Sequence, residues 1–528
     1  MEDAATRTEI VDIVVIGAGV SGVGAACYLA RAFPGKKQLL LEGRAGVGGT
    51  WDLFRYPGIR SDSDVNTYGY EFKPWLHETT IADGHLIREY LRETVDEFGL
   101  AERLRLGHEV LSADWSSEEA RWSLQVRATG EDGTARLLTI ETRWVVAGTG
   151  YYRYDEGFTT HFEGRDDFGG DIVHPQHWPE DYDYSGKKVV VIGSGATAVT
   201  LIPSLVSGPD AAAHVTMLQR TPTYIMSLPR VDGIATVLTK LFGVDRGYAL
   251  TRWKNIWLEQ TIVGALQKFP RAGRAVLRKS AKKLRPTGFD VDTHFNPPYN
   301  PWDQRLCVAP DGDFFKAISD GKASVATDRI ARFAKKGIRL ASGRELEADL
   351  IVTATGLNLR FFGGIRQTVD GKPVEVGDTV TYRGLLLSGV PNWAMLAGYT
   401  KSSSWTLKIG LFSRYLCDLI RHVDAQGHDL VVPVFKPGTP TEPLLDLAAG
   451  YVKRAVNQLP RQGTALPWRL LTSYSQDAKL LKGPLYDEQL QFRNRTAISR
   501  GASFEDRFRG RVPEGGSHRS PAAATGTE

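Results

Sequence analysis

The chain has 528 residues, which is too many for one compact core, so we expect two or more domains. Its formal net charge of +4 is too small to indicate a nucleic-acid partner. The three cysteines, Cys27, Cys307 and Cys417, lie far apart, which argues against a disulfide framework or a dithiol redox centre. The N terminus lacks a signal-peptide pattern and no apolar run is long enough to cross a bilayer. We therefore expect a cytoplasmic protein, and we expect no metal site.

A nucleotide-binding pattern lies close to the N terminus. A predicted buried strand runs into a glycine-rich turn, which is followed by a predicted helix, a second strand and an acid. The predicted contacts to a dinucleotide are Gly17, Gly19, Ser21, Gly22 and Glu42. The glycines permit a tight turn, close approach of a pyrophosphate and packing of the helix on the strand, and the acid accepts a hydrogen bond from a ribose hydroxyl. This order of elements favours nucleotide binding over a glycine turn without a ligand.

An irregular segment over 48–62 comes next. Its glycines, aromatic residues and proline exclude regular secondary structure and favour a loop that contacts a cofactor over a packed surface loop. Within this segment, Arg60 and Asp62 can form an ordinary solvated ion pair. Their position directly after the nucleotide-binding pattern favours a functional role. Further along, a helix is predicted over 85–98.

A second nucleotide-binding pattern begins at a predicted buried strand over 187–192. The predicted dinucleotide contacts are Gly193, Ser194, Gly195, Ala196, Thr197, Ala198, Val199, Gln219 and Arg220. Where the first unit ends in Glu42, the second has Gln219 and Arg220. An acid suits a free ribose 2′-hydroxyl, whereas an arginine suits a 2′-phosphate. The first unit is therefore predicted to bind FAD and the second NADPH; the alternative for Arg220 is a surface arginine at a strand end.

Two further segments differ from ordinary α/β sequence. The connection over 156–185 is rich in aromatic residues, glycines, histidines and prolines, so we expect it to be ordered and to sense how the two units are placed. Between about 230 and 300 the α/β rhythm is interrupted, and eight basic residues occur between 260 and 289 without an acid. This insertion can be a basic amphipathic structure that touches an anionic membrane. We favour a helical lid with a solvated basic face.

The patterns together predict an α/β fold with two dinucleotide-binding, Rossmann-like domains and a helical insertion. The apolar strand over 349–356 ends in Thr-Gly like that over 144–150, which suggests that the chain returns there to the first domain. Serines at 402–404 are predicted to cap a helix, whose positive end can point at the flavin and stabilise its reduced form; the alternative is an ordinary capped helix. The predicted division is a first FAD-binding part over 1–155, a linker over 156–185, an NADP-binding domain over 186–345, a second FAD-binding part over 346–500 and a disordered tail over 501–528.

Two motifs carry a family resemblance. The run Phe168-x-Gly170-x-x-x-His174-x-x-x-Trp178-Pro179 resembles in full the fingerprint of the type I Baeyer–Villiger monooxygenases. The segment over 48–62 resembles the second fingerprint of that family. The runs over 54–64 and 299–307 resemble its ethionamide-activating branch. The resemblance covers the chain apart from its two tails. We expect His174 to be an interdomain structural residue.

The resemblance implies roles for individual residues. Arg305 matches the active-site arginine and Asp62 the aspartate that pairs with it, while Gln219 and Arg220 match contacts to NADP. Many family members have lysine before the active-site arginine, but this chain has Gln304, as the ethionamide-activating branch does, which weakens the case for a second cationic contact to NADP. The remaining predicted cofactor contacts are Thr50, Trp51, Asp52, Leu53, Arg60, Ser61 and the backbone at Val110.

The activity that the resemblance implies is an FAD-dependent, NADPH-consuming monooxygenation. One oxygen atom of O₂ is inserted into a small apolar ketone to give an ester or lactone, and sulfides or thioamides are further candidate substrates. The alternatives are an S-oxygenating flavin monooxygenase and a long-chain alkane hydroxylase. From a different class, a nucleotide-binding redox sensor or an NADPH oxidase without productive oxygenation is a further alternative.

Overall fold

A computed structural model describes residues 8–284, 286–304, 306–400, 404–445 and 449–495. Three predictions fall outside these ranges: the active-site role of Arg305, the capping serines at 402–403 and the disordered tail over 501–528.

The N-terminal segment of the chain contains the first predicted nucleotide-binding unit. Its strands are β1 (Thr8–Ile16), β2 (Gln38–Leu41), β3 (Leu104–Arg105), β4 (His108–Ser116), β5 (Arg121–Thr129) and β6 (Ala135–Ala147). Its helices are α1 (Val20–Ala32), α2 (Thr50–Leu53), α3 (Val65–Tyr68) and α4 (Gly84–Glu97). The predicted helix over 85–98 thus corresponds to α4.

The middle segment contains the second unit and the insertion. Its strands are β7 (Tyr152–Gly157), β8 (Asp171–Val173), β9 (Lys188–Ile192), β10 (His214–Gln219), β11 (Ile225–Leu228), β12 (Cys307–Pro310), β13 (Ala323–Thr327), β14 (Ile330–Ala334), β15 (Gly337–Leu340), β16 (Glu345–Glu347), β17 (Leu350–Thr353) and β18 (Leu357–Leu359). Its helices are α5 (Ala196–Leu205), α6 (Gly233–Phe242), α7 (Val244–Lys268), α8 (Pro270–Leu284), α9 (Val291–His294) and α10 (Asp313–Ser319).

The C-terminal segment is built mainly of short strands and one long helix. The strands are β19 (Arg366–Val369), β20 (Lys372–Pro373), β21 (Thr381–Tyr382), β22 (Leu386–Leu387), β23 (Trp393–Met395), β24 (Leu430–Pro433), β25 (Thr441–Pro443), β26 (Arg461–Gly463) and β27 (Leu490–Arg493). The helices are α11 (Trp405–Ala425), α12 (Gly450–Ala455) and α13 (Tyr474–Leu481).

The first sheet joins the N-terminal and C-terminal segments. Its strand order is β20-β19-β4-β5-β6-β1-β2-β3, and β23 adds to β6 in parallel. At its centre β1 runs parallel to both β2 and β6, with Ile13 opposite Gln38 and Trp144. Strands buried on both faces read as continuous apolar runs, which is why β1 and β2 could be recognised in the sequence. The helices α1 and α11 pack against each other over this core.

The second sheet has five parallel strands in the order β13-β10-β9-β17-β8. Two boundaries drawn from the sequence need correction. The strand β8 lies inside the predicted linker over 156–185 and forms one edge of this sheet. The strand β17 pairs with β9 and β8, so the chain does not return to the first domain at about 346. An apolar run ending in Thr-Gly marks the end of a buried parallel strand, but it does not say which sheet that strand joins.

The two crossings between the units lie side by side. The strand β7 leaves the first unit, β18 returns towards it, and the two pair in antiparallel fashion with Leu357 opposite Gly157. The predicted α/β fold with two Rossmann-like units is confirmed, and the insertion is helical through α6, α7, α8 and α9.

Candidate active site

A cavity of about 1840 Å³ lies where the two glycine-rich turns face each other. A pocket for one small ligand usually measures roughly 300–1,000 Å³, so this space is large enough for two dinucleotides and a substrate. The predicted site residues that line it are Gly17, Gly19, Ser21, Glu42, Thr50, Trp51, Arg60, Asp62, Val110, Gly193, Ser194, Gly195, Ala196, Thr197, Gln219 and Arg220. The tertiary structure therefore brings most of both predicted sets into one cavity.

The first turn has the close approach that its glycines require. Gly17 has a φ of +96°, in the region that favours glycine. A Cβ on Gly22 would lie 1.7 Å from the carbonyl oxygen of Gly17, so α1 packs directly on the turn. The backbones of Gly19 and Gly49 also approach closely, since a Cβ on Gly49 would lie 3.0 Å from the Cα of Gly19. The surface left at the start of α1 is bare backbone, which suits a pyrophosphate.

Glu42 directly follows β2, lines the cavity and is buried. Its carboxylate accepts hydrogen bonds from the backbone N–H groups of Ala18, at 2.8 Å, and Arg44, at 2.9 Å. Burial raises the pKa of the Glu42 carboxyl, and these two N–H groups oppose the rise. The bonds hold the acid against the glycine turn, where it can still accept from a ribose hydroxyl.

The segment over 48–62 joins the two units. It contains the one-turn helix α2, so the prediction that this segment has no regular secondary structure was wrong; the rest of it is the predicted loop. Thr50 lies 3.3 Å from the Tyr154 hydroxyl, and Trp51 donates to the Tyr68 hydroxyl at 2.8 Å. Further along, Tyr56 is buried near Thr197 of α5. Gly58, at φ +75°, lies so close to α5 that a Cβ would meet the Ser204 hydroxyl at 1.8 Å. This loop is therefore fixed against the second unit as well as the first.

Asp62 lines the cavity and is half-buried. Gln304 and Cys307, which flank Arg305 in the sequence, line the same cavity. Arg60 also borders it, but its guanidinium is buried and pairs with Asp313 of α10 at 2.6 Å. Arg60 therefore ties the loop to the second unit and does not form the solvated pair with Asp62 that was considered from the sequence.

The second turn is open towards the cavity. Gly193 has a φ of +133°, and a Cβ there would lie 2.4 Å from the carbonyl oxygen of Ala354. By contrast, a Cβ on Gly195 would meet nothing within 4 Å. Ser194 turns its hydroxyl away to donate to the carbonyl of Thr221 at 3.0 Å. The start of α5 therefore faces free space of the kind that a phosphate group needs.

The two strand-end residues of the second unit differ in environment. The amide nitrogen of Gln219 donates to the His294 carbonyl at 2.8 Å and to the Thr327 hydroxyl at 2.9 Å, and the residue is buried. Arg220 is exposed on the cavity wall, and among the described residues no acid pairs with it. Arg329 stands at the end of the neighbouring strand β13, is exposed and lines the same cavity. Two arginines that form no ion pair with any described residue thus lie at the carboxyl ends of adjacent strands.

Some predicted contacts lie behind the cavity wall. Asp52 is buried and pairs with Arg44 at 3.0 Å and Arg55 at 3.2 Å, while Ser61 donates to the carbonyl of Ser63 at 2.7 Å. The predicted cofactor residues that do not line the cavity are Gly22, Asp52, Leu53, Ser61, Ala198 and Val199. They shape the backbone around the cavity, a role that sequence matching alone does not separate from direct contact.

The fingerprint residues Phe168, Gly170, His174, Trp178 and Pro179 do not line the cavity either. Phe168 packs edge-on against Phe333, and Trp178 packs edge-on against Tyr182 and Tyr184. A Cβ on Gly170 would lie 2.3 Å from the carbonyl oxygen of Asp349 beside β17. The fingerprint therefore packs the connecting segment onto the second sheet.

His174 lies against both crossings between the units. A Cβ on Gly157 would lie 2.1 Å from the ring, and the Nε2 atom is 3.3 Å from the carbonyl oxygen of Gly356. The Nδ1 atom accepts from the backbone N–H of Gln176 at 3.2 Å. Burial lowers the pKa of the His174 ring, so it is neutral near pH 7. This environment agrees with the expected structural role of His174.

Sequence reasoning missed three residues at the cavity. Tyr154 lies in β7, Arg329 follows β13, and Trp405 begins α11. The indole of Trp405 donates to the Ser21 hydroxyl at 2.7 Å and its ring stacks on Tyr151 at 5.3 Å. Ser404 does not cap α11 with its side chain; it bonds the Thr67 hydroxyl at 2.6 Å instead. Arg329 lies far from the second turn in the sequence, so no pattern around that turn indicates it. The signal that could have identified it is its position directly after a buried strand.

A cavity shared by two glycine-rich turns, one beside a buried acid and the other beside exposed arginines, is the arrangement expected of an oxidoreductase that uses two dinucleotide cofactors. Known proteins agree with this class. An NAD(P)-binding Rossmann-like domain matches residues 15–76, and the family described as flavin-binding monooxygenase-like matches residues 72–242.

Individual relatives extend the match over nearly the whole chain. The FAD-containing monooxygenase EthA of Mycobacterium tuberculosis is 49% identical over 493 residues, which are 93% of this chain and 99% of that protein. A solved structure of an oxidized steroid monooxygenase bound to NADP has a TM-score of 0.70 at 21% identity and covers 92% of this chain and 100% of its own. A cyclohexanone-bound structure of cyclohexanone monooxygenase has a TM-score of 0.69 at 21% identity with the same coverage.

The chain belongs to the family of FAD-containing monooxygenases. The predicted enzyme class, a flavoprotein monooxygenase, and the predicted cofactors FAD and NADPH are confirmed. Within the described part of the chain, no helix is long and apolar enough to cross a membrane.

Proposed function

We propose that this monooxygenase is a Baeyer–Villiger enzyme that inserts one oxygen atom of O₂ into an apolar ketone and releases an ester or lactone. The observation that carries the proposal is the cavity itself. The same space is bordered by both nucleotide turns, by Asp62, and by Gln304 and Cys307, which lie one and two residues from Arg305 in the sequence. The fold supports the reaction class, because the structures that it matches include cyclohexanone monooxygenase.

The first turn is the proposed site of FAD. The pyrophosphate would lie at the start of α1 beside Gly17 and Gly19, and the adenosine ribose beside Glu42. The isoalloxazine ring would lie near Thr50 and Trp51, whose side chains are held by Tyr154 and Tyr68. A cradle in which added Cβ atoms would collide with backbone fits the close approach of a dinucleotide.

The second turn is the proposed site of NADPH. Its pyrophosphate would lie at the start of α5 over Gly195, where the space is open. The 2′-phosphate would lie between Arg220 and Arg329, which have no ion pairs within the described ranges. Arg329 would supply a second positive charge, in place of the lysine that many family members have where this chain has Gln304.

Arg305 and Asp62 are the proposed catalytic pair. When bound and reduced by NADPH, FAD supplies the activation of O₂. The guanidinium of Arg305 keeps its positive charge at every working pH and would stabilise negative charge as it develops on the ketone oxygen. Asp62 would orient that guanidinium. The loop over 48–62, fixed to both units, would hold Asp62 in place and help to exclude water.

Product analysis tests the proposal directly. The purified holoenzyme is mixed with NADPH, air and a panel of aliphatic and aryl ketones and one sulfide, and the products are identified by mass spectrometry. We expect esters from ketones. If only sulfoxides or alcohols form, the protein is an S-oxygenating or hydroxylating flavin monooxygenase and not a Baeyer–Villiger enzyme. Peroxide as the sole product with every substrate would exclude the proposed reaction.

A coenzyme prediction follows from the two exposed arginines. Replacing Arg220 with alanine is expected to raise KM for NADPH about 10- to 100-fold, because a charge-assisted hydrogen bond to the 2′-phosphate is lost. KM for NADH, which lacks that phosphate, should change little. Arg329→Ala should give a change of the same kind. Steady-state oxidation of both coenzymes measures the effect.

The control for this prediction is Arg136→Ala. Arg136 is an exposed arginine of β6 that does not line the cavity. This variant should leave both KM values unchanged. If Arg220→Ala and Arg329→Ala also leave the preference for NADPH intact, the 2′-phosphate does not lie at these strand ends.

A further inference from the structure

The exposed apolar side chains of this protein are concentrated in the helical insertion. Within the described ranges, thirteen of the nineteen exposed large hydrophobic residues lie between Val231 and Val276. They include Leu241 at 70%, Trp253 at 69% and Trp257 at 58% exposure. Exposed apolar residues are normally scattered singly over a protein surface. A continuous exposed apolar patch of this kind therefore marks an interaction site.

The exposed residues form continuous faces on two packed helices. On α7, Leu250, Trp253 and Trp257 follow the three- and four-residue spacing of one helix face. On α6, which packs against α7, the exposed face is formed by Ile234, Val237, Leu241 and Phe242. We call the exposed faces of α6 and α7 together the α6–α7 face.

The opposite side of α7 is bonded to the body of the protein. Tyr248 donates to the Tyr70 carbonyl at 2.9 Å, and Asn255 donates to the Asp64 carboxylate at 2.7 Å. Arg252 donates to the carbonyls of Thr67, at 3.1 Å, and Gly69, at 2.8 Å. These residues flank Tyr68, which lines the cavity. The orientation of α7 is therefore fixed, and its tryptophans are held outward by bonds on the other side.

The charge around this face identifies its partner. From 233 to 284 the chain has eleven basic and two acidic residues, in a protein whose total formal charge is only +4. Several of these cations are exposed and have no ion pair within the described ranges: Lys240, Arg246, Arg271, Lys279 and Lys283. Contact between two copies through this face would bring like charges together, whereas an anionic surface would neutralise them.

We propose that the α6–α7 face docks on the surface of an anionic lipid bilayer. Trp253 and Trp257 enter the interface between headgroups and acyl chains, where amphipathic aromatic rings are favoured, and the flanking lysines and arginines contact lipid phosphates. The apolar residues named for this face lie outside the basic run over 260–289 considered from the sequence. Arg271, Lys279 and Lys283 belong to that run, on α8, which packs against α7. In that run, Arg278 and Lys282 pair with Asp292, so part of its charge is already neutralised within the protein.

Vesicle sedimentation tests the proposal. The holoenzyme is centrifuged with vesicles of phosphatidylglycerol and phosphatidylcholine in equal amounts, or of phosphatidylcholine alone, at about 0.1 M salt. We expect binding to the anionic vesicles that weakens with added salt. Trp253→Glu/Trp257→Glu should lower the partition coefficient at least about tenfold, because two large apolar side chains no longer enter the interface. Lys240→Gln/Arg246→Gln should reduce the preference for anionic lipid.

The matched control is Ile10→Glu/Leu137→Glu, which places two acids at residues that are 58% and 60% exposed on the first sheet. It should bind vesicles like the wild type. Retained FAD absorbance and NADPH oxidation show that each variant is folded. The proposal is overturned if the wild type does not sediment with anionic vesicles or if the tryptophan variant binds as well as the control. It is also overturned if light scattering shows lipid-free oligomers that only the tryptophan variant dissociates, since the face then joins copies of the chain.

Discussion

Replacing Arg305 with alanine is expected to lower the rate of ester formation by at least about a thousandfold while FAD remains bound. One fixed donor to a developing oxyanion is worth about 10²–10³ in rate, and Arg305 provides a full charge as well as donors. Reduction of the flavin should be less affected, because it depends on the NADPH site proposed at Arg220 and Gly195. Stopped-flow absorbance of the flavin, with product analysis by mass spectrometry, separates the two steps.

The control for Arg305 is Arg305→Lys, which keeps the charge but loses the planar fork, so a partial recovery of ester formation is expected. Asp62→Ala should also reduce ester formation, because the guanidinium loses the carboxylate proposed to orient it. Normal ester formation by Arg305→Ala would remove this residue from the proposed mechanism. The cavity would then need another cation near the ketone oxygen.

Replacing Lys408 with methionine is expected to lower the free energy of unfolding by about 3–5 kcal/mol, since it leaves a buried carboxylate without its partner. Lys408 is fully buried in the first turn of α11 and pairs with Asp477 of α13 at 3.1 Å. Its ammonium also donates to the Leu471 carbonyl at 2.6 Å. Methionine has a volume similar to that of lysine, so the lost stability comes from the missing charge and not from a cavity. Denaturant unfolding followed by circular dichroism measures it.

Two variants make the comparison specific. Lys408→Met/Asp477→Leu should recover most of the lost stability, because no unpaired charge remains buried. Arg421→Met, which breaks the exposed pair of Arg421 and Asp418 on the same helix, should cost no more than about 1 kcal/mol. An equal loss in Arg421→Met and Lys408→Met would show that burial does not decide the effect.

The pH dependence of Lys408→Met has a definite sign. Burial already raises the pKa of Asp477 to about 6, against the opposing effect of Lys408. Without Lys408 the folded-state pKa rises further above its unfolded value. A group with a raised folded pKa binds more protons when folded, so the variant is relatively most stable at low pH and loses stability as pH rises through the folded pKa. The free energy of unfolding should therefore fall more between pH 5 and pH 8 in the variant than in the wild type.

The sequence by itself determined the features that local order can encode. Gly17 and Gly193 each follow an apolar strand and precede a helix, so both nucleotide units could be placed within a few residues. The contrast of Glu42 with Arg220 predicts which unit binds FAD and which binds NADPH, because each residue directly follows a strand and its chemistry is local. The helical character of the insertion also followed from its composition.

The tertiary structure decided what depends on contacts between distant segments. It placed β8 and β17 in the second sheet, because strand pairing joins residues that no local pattern connects. It paired Arg60 with Asp313 and brought Arg329 to the cavity beside Arg220. It also determines that Trp253 and Trp257 are exposed, since the hydrogen bonds from Arg252 to the carbonyls of Thr67 and Gly69 orient α7. A periodic apolar pattern defines a face of a helix, but only packing against the rest of the chain determines whether that face is buried.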